Sequence, residues 1–235
     1  MNLVNYKEHI SSELLMGPNS ARILEELLMK YPVHLSSENK VLDLGCGKGL
    51  TPLILARETG AQIYANDLWI PAEDNAKRFC KWGVGEQIIP IHQDANALEF
   101  DNGQFSLLVS VDSYHYFATN KDFFANKILP LLRNEAVVLI GIPGIKDQYA
   151  GHSEELLSEW LGNEAYMFKS PKEWKEIIGN HDRIEKIETW EMGCFDLSWH
   201  EWLATENEYA LGDKPFFETL IKPYTCFVGI YIKIK

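Results

Sequence analysis

The sequence predicts an α/β fold built on a doubly wound, mostly parallel sheet, and three observations support this prediction. The chain of 235 residues is 46% hydrophobic and 24% charged, which is the composition of an ordinary globular protein. Apolar segments of strand length alternate with amphipathic segments of helix length, a spacing typical of parallel strands joined by crossover helices. A glycine-rich turn follows the first apolar segment, at the sheet edge where such folds bind their ligands.

The elements of this predicted sheet follow one another from the N-terminal side. A first helix is predicted over 18–31, where leucine and isoleucine recur at helical spacing before Pro32. Apolar runs bounded by glycine, proline and polar residues predict strands at 40–44, 61–66, 87–92, 105–111 and 136–142. The amphipathic segments between them predict helices at 50–58, 71–82 and 122–132.

The C-terminal third departs from this alternation. A helix is predicted from Ser170, a serine cap followed by proline, and two strands, 184–195 and 224–235, are predicted to pair antiparallel. Two further segments, 146–169 and 198–223, are interpreted as helical insertions rich in aromatic and acidic residues. Because long segments of this kind in compact domains usually serve function, we expect both insertions to cover the binding cleft.

One domain is predicted over 1–235, with an N-terminal helical segment at 1–39, a ligand-binding core at 40–145 and the two insertions. The net charge of −12 disfavours nucleic acid and anionic membranes as partners, because like charges repel. The apolar runs are too short to span a bilayer. The four cysteines lack metal-site or redox spacing, so no metal ion is predicted. Free thiols without a secretion signal lead us to expect a cytoplasmic location.

The glycine-rich turn at 41–49 has the pattern Asp-x-Gly-x-Gly-x-Gly, with Asp43 at the end of the predicted strand. Glycines at such a turn let backbone N–H groups approach a ligand closely. A dinucleotide fingerprint needs a small residue where this chain has Leu50, which disfavours an NAD(P) oxidoreductase. A phosphate-binding P-loop needs serine or threonine after its lysine, and Lys48 is followed by Gly49.

The turn resembles motif I of the class I S-adenosylmethionine-dependent methyltransferases, and the resemblance extends over about 40–142. It implies S-adenosylmethionine as cofactor, with Asp67 on the ribose hydroxyls and Asp94 on the adenine amino group. Each aspartate taken alone would also fit a loop carboxylate that caps a helix. The implied cofactor-binding residues are Asp43, Gly45, Cys46, Gly47, Gly49, Asp67, Leu68, Asp94, Ala95 and Val111.

The segment after the predicted strand 105–111 is the candidate acceptor side, because open parallel sheets bind ligands beyond the carboxyl ends of their strands. Asp112 and His115 are candidate catalytic residues; His115 is either a base near neutral pH or a histidine packed under the loop. Candidate substrate-binding residues are aromatic, since ring faces attract cations and apolar acceptors: Tyr114, Trp199 and Trp202. The paired prolines of base-methylating relatives are absent after Asp112, which disfavours a nucleobase substrate.

The combined prediction is an enzyme that moves a methyl group from S-adenosylmethionine to a small-molecule acceptor by in-line displacement. Among methyltransferases the chain resembles the menaquinone/ubiquinone-biosynthesis-like group, which is too broad to select an acceptor. Two alternatives stay open: a non-catalytic S-adenosylmethionine-binding sensor or partner subunit, and a cyclopropane-forming relative that acts on lipid. The methylated atom, the use of a general base and the oligomeric state also stay open.

Overall fold

A computed structural model describes residues 3–235 and shows an α/β fold around one seven-stranded sheet; residues 1–2 of the predicted N-terminal segment lie outside the described part. The strands are β1 (Lys40–Leu44), β2 (Gln62–Asn66), β3 (Ile88–Ile91), β4 (Phe105–Val111), β5 (Leu132–Ile145), β6 (Ile184–Glu191) and β7 (Thr225–Ile234). Their order is β3-β2-β1-β4-β5-β7-β6, with β1 to β5 parallel and β7 antiparallel to both of its neighbours. The predicted sheet and its antiparallel C-terminal pair are confirmed.

Seven α-helices of six or more residues lie within residues 3–235, and several begin at a capping residue. They are α1 (Ser20–Lys30), α2 (Leu50–Thr59), α3 (Ala72–Lys81), α4 (Ser153–Leu161), α5 (Pro171–Ile178), α6 (Phe195–Leu203) and α7 (Glu208–Asp213). The Asn19 side chain accepts a hydrogen bond from the Ala21 N–H at 3.0 Å and caps α1. Ser170 and Glu173 form a reciprocal capping box at the start of α5. These contacts satisfy N–H groups that a helix N-terminus leaves unpaired.

Both faces of the sheet are buried, which explains why its strands are nearly continuous apolar runs. On one face, Val41 of β1 and Val109 of β4 belong to the same apolar cluster as Ile23 of α1. On the other face, the neighbouring residue Leu42 belongs to a second cluster that includes Trp174 of α5. With helices on both faces, the carboxyl ends of the parallel strands remain as the edge where a ligand binds.

The helix predicted over 122–132 is present at 122–131 but is irregular. After a short α-helical start it continues as a π-helical turn at Phe124–Ile128 and a 3-10 turn at Leu129–Leu131. Pro130 has no N–H group to donate, so a regular α-helix is not continued through it. β5 consequently begins earlier than the apolar run alone predicts.

The strand predicted over 184–195 ends at Glu191, and the chain then turns into α6. The carboxylate of Glu26, on α1, accepts hydrogen bonds from the N–H groups of Gly193 at 3.0 Å and Cys194 at 2.7 Å. These bonds end the strand because they give its next N–H groups a partner outside the sheet. That partner is distant in sequence, so strand propensity did not indicate it.

The insertion predicted at 198–223 is part of the core and not a separate cover. Trp199 and Trp202 of α6 are buried, and they pack with Phe217 and Ile221 in the cluster that also contains α1. Removing this segment would expose a large apolar surface. The shortened chain is therefore expected to unfold rather than to keep an intact binding site.

A tight contact in the C-terminal sheet provides a test of the packing. The Trp190 indole of β6 lies over Gly229 of β7, so a Cβ atom added there would be 2.3 Å from the ring. We expect Gly229→Ala to destabilise the protein by about 1–3 kcal/mol through overpacking. Gly212→Ala is the matched control, because no atom lies within 4 Å of its added Cβ, and it should stabilise α7 by about 0.5–1 kcal/mol. Urea unfolding measures both; equal stability of Gly229→Ala and wild type would contradict the packing.

Candidate active site

A cavity of about 410 Å³ lies at the carboxyl ends of β1, β2 and β4. Among the residues that the resemblance assigns to the cofactor, those that line this cavity are Gly45, Cys46, Gly47, Asp67, Leu68, Asp94, Ala95 and Val111. Asp43 and Gly49 lie behind the wall: Asp43 is buried, and an added Cβ on Gly49 would be 2.5 Å from the Phe79 ring. The sequence pattern and the structure therefore bring most of these residues to one place.

The glycine turn is held against the neighbouring strands. The N–H groups of Gly45 and Cys46 donate to the Asn66 carbonyl at 2.8 and 3.0 Å. Gly45 has a φ of +78°, and an added Cβ would lie 2.2 Å from the Ser113 hydroxyl oxygen. That hydroxyl donates to the Leu44 carbonyl at 2.8 Å. Only glycine fits this position, because any side chain would meet Ser113.

Asp67 lines the cavity and also organises the loops around it. One carboxylate oxygen accepts the Gly47 N–H at 2.8 Å, and the other accepts the N–H groups of Trp69 at 2.8 Å and Ile70 at 2.9 Å. A carboxylate has about four acceptor positions, so these three bonds leave capacity for a ligand hydroxyl. Asp67 therefore has the capping role considered from sequence and a position suited to a ligand as well.

The loop after β3 is held by a residue that the sequence did not single out. The Asn66 amide donates to the Gln93 carbonyl at 3.1 Å and accepts from the Gln93 N–H at 3.0 Å. This two-point contact fixes the loop on which Asp94 lies at the cavity wall, where its carboxylate accepts from the Asn96 N–H at 2.8 Å. The signal available in the sequence was a polar amide directly before Asp67 at a strand end.

Asn75 is a second positioning residue missed from sequence. It lies on α3, is buried, and donates to the Gly47 carbonyl at 2.9 Å. Its carbonyl oxygen accepts from the Arg78 guanidinium at 2.8 Å, which fixes the orientation of the amide. Helical periodicity does not distinguish Asn75 from the polar residues on the exposed face of α3.

Asp43 is a buried carboxylate under the glycine turn. Neither of its oxygens has a hydrogen-bond partner of ordinary geometry among the described residues, although Thr51 lies close enough to favour the ionised form slightly. Burial dominates and raises the pKa of Asp43 to about 7. A charge here is costly in the absence of a nearby cation.

Asp112 lies at the end of β4 and lines the cavity from the acceptor side. Its backbone has a φ of +54°, in the left-handed region, while its N–H donates to the Gly141 carbonyl of β5 at 2.8 Å. Such a conformation is uncommon for a residue other than glycine and persists only where neighbouring contacts enforce it. Burial, and after it the Asp213 carboxylate, raises the pKa of Asp112 to about 7.

Tyr114 and His115 do not reach the cavity, which corrects the placement expected from sequence. They lie in a 3-10 turn, Tyr114–Tyr116, where successive side chains point about 120° apart, and only Tyr116 faces the cavity. Tyr114 packs against Phe117 and Trp174 in the core. His115 is buried, and its burial lowers its pKa to about 3, so it is neutral and packed under the loop.

Trp199 and Trp202 are likewise absent from the cavity wall, because α6 packs them onto α1. Of the described residues in 146–169 and 198–223, none lines the cavity. The N-terminal segment covers it instead, through Leu14, Met16, Gly17, Pro18 and Ser20. The Lys48 ammonium donates to the Glu13 carbonyl at 2.6 Å and ties this segment to the glycine turn.

The comparisons with known proteins agree with this geometry. Residues 41–135 match the sequence model of a family described as a methyltransferase domain. The fold resembles geranyl diphosphate C-methyltransferase from Streptomyces coelicolor A3(2), with a TM-score of 0.72, 17% identity, and coverage of 91% of this chain and 78% of that one. It also resembles phosphoethanolamine N-methyltransferase 2 from Haemonchus contortus, with a TM-score of 0.73, 21% identity, and coverage of 99% and 56%. No curated protein sequence is significantly similar to this chain.

The fold is the one found in these solved S-adenosylmethionine-dependent methyltransferases. The residues that match the methyltransferase-domain model, 41–135, carry the glycine turn and the ends of β1 to β4. Solved neighbours crystallised with S-adenosylmethionine or S-adenosylhomocysteine agree with the cofactor predicted from the glycine pattern.

The buried carboxylate of Asp43 leads to a pH-dependent prediction. Its pKa is raised from 3.8 to about 7, so between these values the unfolded chain releases a proton that the folded chain keeps. Raising the pH through this window therefore favours unfolding. We expect Asp43→Asn to remove this effect and to gain about 2–3 kcal/mol of stability relative to wild type between pH 5 and pH 8.

Chemical denaturation at the two pH values measures the difference. Asp101→Asn is the control, because Asp101 is exposed and precedes β4 at the opposite end of that strand from the cavity. A gain for Asp43→Asn that does not change with pH would contradict a raised pKa at this position.

Proposed function

We propose that this chain transfers a methyl group from S-adenosylmethionine to a small-molecule acceptor by in-line displacement. The observation that carries the proposal is one continuous cavity lined both by Asp67 and Asp94, which the resemblance assigns to the cofactor, and by Asp112 and Tyr116 after β4. Its volume of about 410 Å³ is within the range of sites for small molecules. A cofactor and an acceptor held in one cavity satisfy the main requirement of a direct transfer, which is alignment.

The residues present fit S-adenosylmethionine. The cavity wall contains three carboxylates, on Asp67, Asp94 and Asp112, and among the described lining residues the basic side chain is Lys48, whose ammonium is bound to the Glu13 carbonyl. A wall with excess negative charge suits a ligand with a net positive charge. When bound, the cofactor supplies an electrophilic methyl group on a sulfonium sulfur.

The chain's own residues would position the ligands and limit the access of water. Leu14 and Met16 of the N-terminal segment form part of the wall beside the glycine turn, and an added Cβ on Gly47 would lie 3.2 Å from the Met16 sulfur. Exclusion of water strengthens the electrostatic contacts inside a site. Asp112, at the other part of the wall, is available to an acceptor.

A small-molecule acceptor is supported by the structural neighbours and by charge. One neighbour acts on geranyl diphosphate, and another was crystallised with phosphomonomethylethanolamine. The net charge of −12 disfavours a nucleic acid substrate. Within residues 3–235, no helix is both long and apolar enough to cross a membrane. The four free cysteines support a reducing, cytoplasmic location as part of the proposal.

A turnover screen tests the proposal. The full chain is incubated with S-adenosylmethionine carrying a labelled methyl group and with separate sets of amines, thiols, phenols, quinols and carboxylates. We expect label to enter one of these sets in proportion to S-adenosylhomocysteine formed. Tight cofactor binding without transfer to any set would instead favour the sensor or partner-subunit alternative.

Asp67 allows a test of the cofactor site. We expect Asp67→Ala to weaken S-adenosylmethionine binding by about 1.5–3 kcal/mol, because hydrogen bonds to a charged group are lost. Calorimetry measures the dissociation constant, and thermal unfolding verifies that the variant is folded. Asp101→Ala, at an exposed aspartate away from the cavity, is the control. An unchanged dissociation constant in a folded Asp67→Ala protein, or binding of NAD by the wild type, would contradict the assignment.

A further inference from the structure

Asp112 is a carboxylate in the cavity wall that the chain does not neutralise. Among the described residues, the charged group that acts on its carboxylate is Asp213, which has the same sign. It lies against the N-terminal segment, where an added Cβ on Gly17 would be 2.5 Å from its Oδ2 atom. The left-handed backbone at Asp112 and its hydrogen bond to Gly141 keep the residue at this point of the wall.

A second carboxylate, on Asp213 at the end of α7, faces the same region. Its two oxygens accept from the indole N–H groups of Trp160 at 2.9 Å and Trp202 at 3.0 Å. Both donors are neutral, so they fix the carboxylate without cancelling its charge. Its charge contributes to raising the pKa values of both Asp112 and Tyr116, which line the cavity.

The other charged groups that act on this region have the same sign. The pKa of the Tyr116 hydroxyl is raised by burial and then by the carboxylates of Asp112, Glu164 and Asp213. Three acidic side chains from three different segments therefore act on Tyr116, and of these Asp112 lines the cavity. Bringing like charges together is unfavourable unless a cation comes between them.

Beside these carboxylates lies a pair of exposed aromatic rings. Trp69 and Tyr116 line the cavity with their ring centroids 5.1 Å apart and their planes at 63°. The two residues are 63% and 42% exposed, so their rings border the opening of the cavity instead of filling the core. Aromatic faces next to carboxylates attract a cation and its apolar substituents together.

We propose that the methyl acceptor is an amine with an apolar substituent, its nitrogen bound by Asp112 and its apolar part in contact with Trp69 and Tyr116. This inference rests on the proposed methyl transfer and specifies its acceptor class. A carboxylate, a phosphate or a phenolate would be repelled by Asp112 and Asp213. An uncharged acceptor would leave the Asp112 charge in the cavity wall without a cation beside it.

The transfer balances with groups that are present. The acceptor binds as an ammonium, and the Asp112 carboxylate takes one of its protons, which frees the nitrogen lone pair. The nitrogen would then form a bond to the methyl carbon while the carbon–sulfur bond breaks with its electron pair returning to sulfur. The methylated nitrogen is again a cation, and Asp112 passes the single released proton to water, so no oxidant or metal ion is consumed.

The wild-type protein tests the acceptor class directly. The full chain is saturated with S-adenosylhomocysteine, and calorimetry then compares two pairs of probes: phenethylamine with 2-phenylethanol, and hexylamine with hexan-1-ol. We expect each amine to bind about tenfold more tightly than its alcohol, because a charge-assisted hydrogen bond replaces a neutral one. Equal binding within both pairs, or no binding of either amine, would overturn the proposal.

The Asp112→Asn variant tests whether Asp112 is the residue that causes the preference for amines over alcohols. Asparagine tolerates the left-handed backbone and keeps the shape of the side chain, so the variant is expected to fold. It should lose the roughly tenfold amine preference while the S-adenosylhomocysteine affinity changes by less than about twofold. Asp101→Asn should keep the preference. If Asp112→Asn lowered the affinity for S-adenosylhomocysteine as much as that for the amines, Asp112 would belong to the cofactor site and the inference would be wrong.

The outcomes separate this inference from the proposed function. Absence of S-adenosylhomocysteine binding in the wild type would contradict the methyl transfer itself. Cofactor binding with label transfer only to thiols, phenols, quinols or carboxylates would leave methyl transfer standing and reject the amine. Label transfer to amines, lost in Asp112→Asn but retained in Asp101→Asn, is the result expected here.

Discussion

The contact between the ends of β1 and β4 is the constraint on which the rest of the site depends. The hydroxyls of Ser110 and Ser113 both donate to the Leu44 carbonyl, at 2.7 and 2.8 Å, and Gly45 leaves the space that Ser113 occupies. This contact brings the glycine turn, where we propose that the cofactor binds, beside Asp112. A loss of either partner would separate the cofactor side of the cavity from the acceptor side, and alignment is the main contribution of such a protein to catalysis.

The site concentrates negative charge where the protein supplies little to balance it. Asp43 lies under the turn without a hydrogen-bond partner of ordinary geometry among residues 3–235, and the charge of Asp213 raises the pKa of Asp112. Burial of carboxylates lowers stability, so these groups oppose folding at neutral pH. These carboxylates fit a site that binds cationic ligands, because a bound ligand then supplies the positive charge that the chain does not. Stability and ligand binding are opposed at these positions.

The aromatic residues near the site have two distinct roles that composition alone does not separate. Trp199 and Trp202 are buried on α1, whereas Trp69 and Tyr116 are exposed at the opening of the cavity. Trp202 nonetheless reaches the site indirectly, since its indole N–H orients the Asp213 carboxylate. The segment expected to cover the cleft therefore supports it from behind, and the N-terminal segment covers it.

The sequence by itself determined the parallel sheet, the order of its elements and the glycine turn at its edge. These features follow from apolar periodicity, from capping residues and from the glycine motif, all of which depend on residues close together in sequence. Only the tertiary structure decided which side chains reach the cavity. The burial of His115 depends on the backbone rotation within one 3-10 turn. The hydrogen bonds that Glu26 accepts at the end of β6, and those that Asp213 accepts from indole N–H groups, join residues that are far apart in sequence. Local patterns carry no information about such partners, because their energies arise only when distant segments pack together.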